Sequence, residues 1–267
     1  MFLCVLIAGC SQVNKKDKLR ARITAIATST DATIGVGIMD LMTGDTITFN
    51  GNRHFPMQSV YKFHLAMAVL SVVDSTMHSL NHGIFVKKSE LHEDTHSPMR
   101  DDFPKGDSTF SLSTILEYTV SRSDNNGCDI LFRFVGGPEF VNQYVRTLGV
   151  SGVVIAETEE QMRQAWDVQF KNWTTPSAMT EVLAIYSRQM HLSKKSSEFL
   201  WKIMVESPTG ANRIKAQLPS TTIVAHKTGT SGVNEDGIRA AVNDVGIVRL
   251  PDGRQYAISV FVSNTKD

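Results

Sequence analysis

Three short blocks of reactive residues stand in fixed order along the chain. They are Ser59-Val60-Tyr61-Lys62, Ser123-Asp124-Asn125 and Lys227-Thr228-Gly229. An S-x-x-K block occurs by chance on the order of once in a chain of this length, whereas S-D-N and K-T-G each occur in about one such chain in twenty. The three blocks together, in this order, are therefore much stronger evidence than any one of them. They indicate acyl transfer to a serine.

Ser59 is the candidate nucleophile. A serine hydroxyl is a weak nucleophile until a base takes its proton, and Lys62 follows one helical turn later on the same face. For that role the pKa of Lys62 must fall, through burial or through a nearby cation such as Lys227. At a helix start the N–H of Ser59 suits an oxyanion, with the N–H of Thr230 as the second donor. An N-cap serine followed by a solvated lysine is the alternative.

The other two blocks supply polar groups for a substrate. Ser123 is placed to pass a proton to a leaving nitrogen, and Asn125 to bond a substrate amide. Asp124 is expected to pin its own loop by bonding backbone N–H groups. Lys227 and the hydroxyl residues after it form a cationic strand edge that suits a carboxylate. Taken singly, the two blocks also fit an Asx-rich turn and an edge strand blunted by lysine.

The blocks fall where two kinds of pattern meet. Residues 18–58 and 201–267 predict one helix and several strands, whereas residues 59–200 are mainly helical in spacing. Strands at both ends with helices between them predict an α+β fold, in which one antiparallel sheet is built from both chain ends and an all-α region is inserted. Small-molecule sites tend to form in the cleft between such regions.

Composition excludes several classes of function. The chain has 267 residues, of which 42% are hydrophobic, so it is long enough for a sizeable core. Lys and Arg total 27, as do Asp and Glu, and like charges do not cluster, so neither a nucleic-acid groove nor a polybasic membrane surface is indicated. The expected partner is a small molecule.

The three cysteines, Cys4, Cys10 and Cys128, form neither a disulfide framework nor a zinc pattern. Cys128, on a predicted helix, is interpreted as a small buried hydrophobe. Cys10 ends the apolar stretch Leu3–Cys10, which resembles a bacterial lipobox. Residues 1–17 are therefore interpreted as a lipoprotein signal and tether, with Cys10 anchoring a periplasmic protein. An ordinary secretory signal or a chance apolar start is the alternative, since no Lys or Arg precedes the run.

The blocks in their local context resemble those of class A serine β-lactamases, and most closely the PER- and CfxA-type cephalosporinases. The resemblance runs from about Ile34 to Lys266. It implies a β-lactamase/transpeptidase-like fold and hydrolysis of β-lactam antibiotics, both cephalosporins and penicillins, through an acyl-enzyme. It implies a monomer that needs water but neither cofactor nor metal. The residues that it implicates in catalysis or substrate binding are Ser59, Lys62, Ser123, Asn125, Lys227, Thr228, Gly229 and Thr230.

The family also uses a glutamate on an Ω-loop to activate the deacylating water. In this chain the loop spans about 157–172, and Glu159 is the predicted residue because it stands at the family's usual interval from Asn172. Glu160 and Glu157 are the other candidates for this role. The alternative without a catalytic role is that all three glutamates form a solvated acidic face. Glu157 and Asn172 replace the arginine and aspartate that commonly clamp this loop.

Further positions follow from the resemblance. Arg213 matches an arginine that helps to bind the substrate carboxylate, with Arg239 as the fallback. His96 falls where the family places an aromatic gate, and Arg163 where an asparagine usually helps to hold the water. His92 precedes His96 by four residues, but without further ligands nearby no metal site is predicted.

Two features keep other interpretations open. The family continues past its last strand into a helix, whereas the sequence ends at Asp267, so a sheet face with Ile258, Val260 and Val262 is expected to lack that cover. A penicillin-sensitive DD-peptidase is the enzyme alternative, disfavoured by the acidic Ω-like segment. A lipoprotein that senses β-lactams through a long-lived adduct is the alternative outside enzymes.

Overall fold

The structure, a computed structural model, describes residues 15–266. Cys10, the predicted lipidation site, lies outside the described residues. The helices are α1 Lys15–Thr28, α2 Tyr61–Ser75, α3 Pro98–Asp102, α4 Leu112–Ser121, α5 Asn125–Val135, α6 Pro138–Thr147, α7 Glu159–Met162, α8 Pro176–Ser187 and α9 Lys194–Val205. The strands are β1 Thr33–Asp40, β2 Thr46–Phe49, β3 Phe55–Pro56, β4 Gly83–Val86, β5 Ser108–Ser111, β6 Val153–Val154, β7 Trp173–Thr174, β8 Ile223–Thr230, β9 Val242–Arg249 and β10 Gln255–Ser263.

Both ends of the chain build the main sheet. Its strand order is β2-β1-β10-β9-β8, and every neighbouring pair is antiparallel. Val36 of β1 lies opposite Val260 of β10, and Lys227 of β8 lies opposite Val245 of β9. The α+β fold predicted from the sequence is thereby confirmed, and β8 is an edge strand of the sheet.

Alternate residues of β10 face opposite sides of the sheet, as the two-residue period of a strand requires. Ala257, Ser259 and Phe261 are buried toward α8, where Ser259 Oγ bonds Thr180 Oγ1 at 2.7 Å. The residues between them, including Ile258, Val260 and Val262, are half-buried on the other face.

Helix α2 is the centre of the helical region. Every residue from Tyr61 to Leu70 is buried, because neighbouring helices surround it. A helix apolar on all sides belongs in a core, and this one carries Lys62 and His64 inside with it. Burial lowers the pKa of His64 to about 4, so this side chain is a neutral part of the core.

The sheet and the helical region meet at a close backbone contact. Asn243 of β9 donates from Nδ2 to the carbonyls of Pro56 at 2.8 Å and Met57 at 3.2 Å, which holds the turn before α2 against the sheet. A Cβ atom on Gly229 of β8 would lie 2.5 Å from the Met57 carbonyl oxygen. Glycine is required there because β8 passes too close to the turn for any side chain.

Candidate active site

Ser59 lies in a short 3₁₀ turn, Gln58–Val60, that leads directly into α2. Gln58 has φ 48°, a left-handed conformation that non-glycine residues seldom adopt. Its side-chain amide donates to Gln169 Oε1 at 2.5 Å, which ties this turn to the segment Trp166–Lys171. Backbone strain of this kind is concentrated at functional sites, and here it adjoins the predicted nucleophile.

Lys62, one turn into α2, is fully buried and its Nζ atom meets three oxygen acceptors. Nζ lies 2.8 Å from the Ser123 carbonyl oxygen, 2.5 Å from Asn125 Oδ1 and 3.1 Å from Glu159 Oε1. Nζ therefore donates hydrogen bonds to the first two oxygens and forms an ion pair with the carboxylate of Glu159. Within the described residues no hydrogen bond joins Lys62 Nζ to Ser59 Oγ. Lys62 therefore links three segments of the site in this state.

Of the three acidic candidates on the Ω-loop, the structure brings Glu159 to Lys62. Glu159 is only 7% exposed, whereas Glu160 is exposed and Glu157 pairs with Lys171 Nζ at 2.7 Å. Glu159 opens helix α7, whose N-cap Thr158 forms a capping box with Gln161.

The neck of the Ω-loop is closed by one amide side chain. Asn172 Oδ1 accepts the backbone N–H groups of Ala156 at 2.8 Å and Glu157 at 2.9 Å, while its Nδ2 donates to the Glu157 carbonyl at 2.8 Å. The buried amide thus performs the closing role for which the sequence comparison expects a charged clamp. Arg163 turns away from this neck and pairs with Asp94.

Asp129 of α5 is a half-buried acid beneath the start of α7. Its two oxygens accept the backbone N–H groups of Glu159 at 2.8 Å and Glu160 at 2.9 Å. Burial and the neighbouring charge of Glu159 raise the pKa of Asp129 to about 7. This carboxyl therefore fixes the backbone that carries Glu159, and its charge changes near neutral pH.

The loop of the second block stands between two lysines. Ser123 has φ 60°; its carbonyl accepts from Lys62, and its Oγ accepts from Lys227 Nζ at 2.8 Å. Asp124 caps α5 by accepting the N–H of Gly127 at 2.7 Å and also accepts that of Met99 at 2.6 Å. Asp124 therefore pins the loop through backbone N–H groups, as its sequence position predicts.

Lys227 is fully buried on β8 and is held by neutral groups. Besides Ser123 Oγ, its Nζ donates to the Thr228 carbonyl at 2.9 Å. Burial and the neighbouring Lys62 lower the pKa of Lys227 well below its usual value. Across residues 15–266 no carboxylate lies within salt-bridge distance of Lys227. An anion in the cleft would therefore be attracted to Lys227, whose charge no neighbouring carboxylate balances.

The last residues of β8 present backbone and hydroxyl groups to the cleft. Ser231 N–H bonds the Ala241 carbonyl at 3.0 Å, toward β9. Because successive N–H groups of a strand point in opposite directions, the Thr230 N–H points outward from the free edge of β8. This is the orientation that an oxyanion donor needs.

Arg213 lies against the same edge. Its guanidinium donates to the carbonyl of Asn243 at 2.5 Å and to Thr230 Oγ1 at 2.6 Å. The Thr230 hydroxyl hydrogen is therefore free for a ligand. Arg239, the fallback, donates to the Ser231 carbonyl at 2.7 Å, farther along the chain. Thr228 is held through its hydroxyl by Thr209 at 2.9 Å.

Comparisons with known proteins match this arrangement. The model of the "Beta-lactamase enzyme family" matches residues 18–267. The chain belongs to the β-lactamase enzyme family. It is 46% identical to beta-lactamase VEB-1 of Pseudomonas aeruginosa, over 94% of this chain and 84% of that one. It is 38% identical to the extended-spectrum beta-lactamase PER-1 of Pseudomonas aeruginosa, over 93% and 80%. The crystal structure of the TLA-1 extended-spectrum beta-lactamase superposes with a TM-score of 0.93 at 46% identity, covering 95% and 92%. These matches identify a class A serine β-lactamase of the PER type, whose reaction is hydrolysis of β-lactams.

His96 lies at the rim of this β-lactamase site with its ring already bonded. Its Nε2 is 3.0 Å from the Arg122 carbonyl, so Nε2 carries the hydrogen and donates. His92 contributes its backbone carbonyl, which accepts from Asn126 Nδ2 at 3.1 Å. No group of three or more His, Cys, Asp or Glu side chains suited to a metal occurs in the part of the chain that the structure describes.

Two acids of this β-lactamase, the half-buried Asp129 and the buried Asp244, were missed from the sequence. Asp129 follows Asn125 by one helical turn, a spacing that places both on one face of α5 and was the available signal. Asp244 stands in strand β9, opposite Thr228. Its Oδ1 is 2.8 Å from His226 Nδ1, and its Oδ2 accepts the Ile214 N–H at 3.1 Å. This pair fixes β8 to β9 and to the turn after Arg213.

Proposed function

We propose that the enzyme opens the β-lactam ring by forming an ester between Ser59 Oγ and the ring carbonyl carbon. The carbonyl oxygen becomes an oxyanion between the N–H groups of Ser59 and Thr230, and the ring C–N bond breaks when the tetrahedral intermediate collapses. The observation that carries this assignment is the convergence of Lys62, Asn125 and Glu159 in one buried cluster beside the turn that bears Ser59.

The proton of Ser59 reaches Glu159 by way of Lys62. A protonated lysine has no lone pair, so Lys62 becomes a base only after it passes one proton to Glu159, whose Oε1 lies 3.1 Å from Nζ. The freed lone pair then takes the proton of Ser59 Oγ as the new C–O bond forms. Ser123 donates its hydroxyl proton to the leaving ring nitrogen, and Lys227, already bonded to Ser123 Oγ, stabilises the oxygen left behind.

Between the two steps, the proton that Glu159 accepted returns through Lys62 to the oxygen of Ser123, which restores the Glu159 carboxylate and the Ser123 hydroxyl. Deacylation then uses that carboxylate as a general base. It takes a proton from a water that attacks the ester carbon, and Ser59 Oγ leaves with a proton returned through Lys62. Asp129 and the Asn172 closure support this step, because they hold the backbone on which Glu159 stands.

The substrates are expected to carry a carboxylate, as penicillins and cephalosporins do. That group would meet Thr228, the free hydroxyl hydrogen of Thr230 and the positive field of Lys227 and Arg213. PER-1 is named an extended-spectrum enzyme, and cephalosporins are proposed as the better substrates of this chain on that likeness.

Ser59→Ala tests the nucleophile. Nitrocefin turnover should disappear, and mass spectrometry with a slowly deacylated β-lactam should show no adduct on the peptide that contains position 59. An adduct that persisted on that peptide would contradict the assignment. Sustained colour from the wild type, well beyond one equivalent, distinguishes a hydrolase from a DD-peptidase or a sensor that turns over once.

The proposed location is the periplasm, where a lipid anchor at Cys10 would hold the protein to the membrane. The enzyme is proposed to be a monomer. Among the described residues no helix is long and apolar enough to cross a membrane. The support is therefore the lipobox-like sequence alone. Labelling of the full chain with radioactive palmitate should be lost in Cys10→Ala, and light scattering should give the mass of one chain.

A further inference from the structure

Five residues without regular secondary structure connect the Ω-loop with the loop of the second motif, which begins at Ser123. Residues 92–96, here termed the rim segment, lie between Leu91 and the N-cap of α3. Asp94 pairs with Arg163, which ends the helix that begins at Glu159. Thr95 Oγ1 accepts from Asn125 Nδ2 at 2.8 Å. The rim segment therefore contacts the Ω-loop on one side and the second motif on the other.

One guanidinium holds this segment in shape. Arg100 Nη1 donates to the carbonyls of His92 at 2.8 Å, Glu93 at 2.9 Å and Thr95 at 2.8 Å. Its Nε and Nη2 both bond Asp101 Oδ1, at 3.0 and 2.7 Å, which fixes the plane of the group. The side chain is 18% exposed. An irregular segment has no neighbouring strand or helical turn to donate hydrogen bonds to its carbonyls. Arg100 supplies these hydrogen bonds instead.

The position of the Asn125 amide depends on this segment. An amide offers an oxygen and an NH₂ group, and rotation by 180° exchanges them. Because the Lys62 ammonium can only donate, Oδ1 faces Lys62 Nζ, which lies 2.5 Å away, and Nδ2 at the other end of the amide donates to Thr95 Oγ1. Without a fixed partner at Thr95, the far end of the amide would lose its anchor, and the shortest hydrogen bond of Lys62 would be held less firmly.

We propose that Arg100 is a positioning residue for acylation, which acts through Thr95 on the Asn125 amide and so on Lys62. Arg100 touches neither Lys62 nor Ser59, so its effect must pass through the rim segment. A small displacement of groups that orient a reaction lowers its rate by one to two orders of magnitude. The inference rests on the proposed function, since the effect is on acylation of Ser59.

Arg100→Met tests the proposal, with nitrocefin as substrate and Arg133→Met as the matched control. Arg133 also bonds a carbonyl and a carboxylate, those of Phe85 and Glu90, but outside the rim segment. Arg100→Met should lower kcat/KM about tenfold, whereas Arg133→Met should stay within about twofold. Arg100→Lys, which keeps the charge and part of the carbonyl bonding, should recover part of the loss.

A double-mutant cycle with Thr95→Val separates positioning from general loosening. If Arg100 acts through Thr95, the double variant should be no slower than the slower single variant. Multiplied losses, or a kcat/KM of Arg100→Met within twofold of wild type, would overturn the proposal. If Arg100→Met does not fold, Arg100→Lys enters the same cycle. Sustained wild-type turnover together with a silent Arg100 would reject this inference and leave the proposed function intact.

Discussion

The cleft has two walls: a helical wall formed by α2, α5 and α7, and a strand wall formed by β8. Each wall holds a buried lysine, but in a different way. On the helical wall, Lys62 meets the carboxylate of Glu159 and two neutral oxygens brought from other segments. On the strand wall, Lys227 meets only a hydroxyl and a carbonyl, and the pKa of Lys227 falls well below its usual value because of burial and of Lys62. A buried cation without a counter-ion is costly. The helical wall is thus neutralised internally, whereas on the proposed function the strand wall would be neutralised by an anionic substrate.

The difference divides the labour of the reaction. Proton transfer needs an acid and a base that exchange charge within the protein, and the helical wall contains both. Substrate binding and oxyanion stabilisation need fixed donors that stay unsatisfied until the substrate arrives, and on the proposed function the free edge of β8 would supply them. Each wall can be broken separately.

The largest effect is expected from Glu159→Gln, which removes the base of the helical wall. Acylation should slow, because Lys62 loses its proton acceptor, but deacylation should slow more, so that an ester accumulates. Turnover should fall by about 10³-fold or more. Stopped-flow kinetics with nitrocefin and mass spectrometry of the adduct measure both steps.

Glu160→Gln is the matched control, since Glu160 is the neighbouring acid on the same helix turn and is exposed. Its turnover should remain within a few fold of wild type. Accumulation of the ester in Glu160→Gln, with normal turnover in Glu159→Gln, would transfer the base to the other residue.

The strand wall is the part of the site that its sequence describes best. Its groups come from consecutive residues of β8, so spacing and strand alternation already place Lys227 and Thr230. The helical wall is assembled from α2, α5 and α7, and only the family interval points to Glu159. Thr95 and Asp129 escaped prediction because their roles depend on tertiary contacts, with an amide in one case and backbone N–H groups in the other. The fold could be predicted from simpler signals. These were alternating strand patterns at both chain ends and helical spacing between them.

The next effect is expected on the strand wall, from Gly229→Ala. The added Cβ would lie 2.5 Å from the Met57 carbonyl oxygen, so β8 must shift away from the turn that carries Ser59. The two oxyanion donors would then no longer converge, and kcat should fall about 10²-fold. The measurement is kcat for nitrocefin, alongside the melting temperature.

Gly232→Ala provides the control three residues later, because a Cβ there meets nothing within 4 Å. It should leave kcat within about twofold of wild type. Equal turnover in Gly229→Ala and Gly232→Ala would show that the close approach of β8 to the turn does not matter for the oxyanion.

A smaller effect is expected from Arg213→Met. The guanidinium supports the Thr230 hydroxyl and adds positive field to the strand wall, but it forms no part of the proton relay. KM for a carboxylate-bearing cephalosporin should rise about tenfold with kcat changed far less. Arg239→Met, the fallback position, should stay within about twofold. The reverse ranking of the two variants would assign the carboxylate to Arg239.

The smallest effect is expected at Asp129, where the helical wall contains an acid without a cation in direct contact. Its folded-state pKa of about 7 lies above the ordinary value of 3.8, because of burial and the charge of Glu159. Between these values the folded chain binds a proton that the unfolded chain has lost. The contribution of Asp129 to wild-type stability should therefore fall as the pH rises from about 4 to about 7, and the loss should be complete above that range.

Asp129→Asn removes this titration while keeping an oxygen acceptor for one of the two N–H groups. Urea unfolding of both proteins at several pH values gives the difference in unfolding free energy. The variant should gain on the wild type by about 1–3 kcal/mol between pH 4 and pH 8, below the upper limit of about 1.4 kcal/mol per pKa unit. A lost N–H acceptor offsets the curve by a constant amount at every pH. A difference that stays flat with pH would show that Asp129 is ionised throughout, and that the helical wall neutralises this acid as well as it neutralises Lys62.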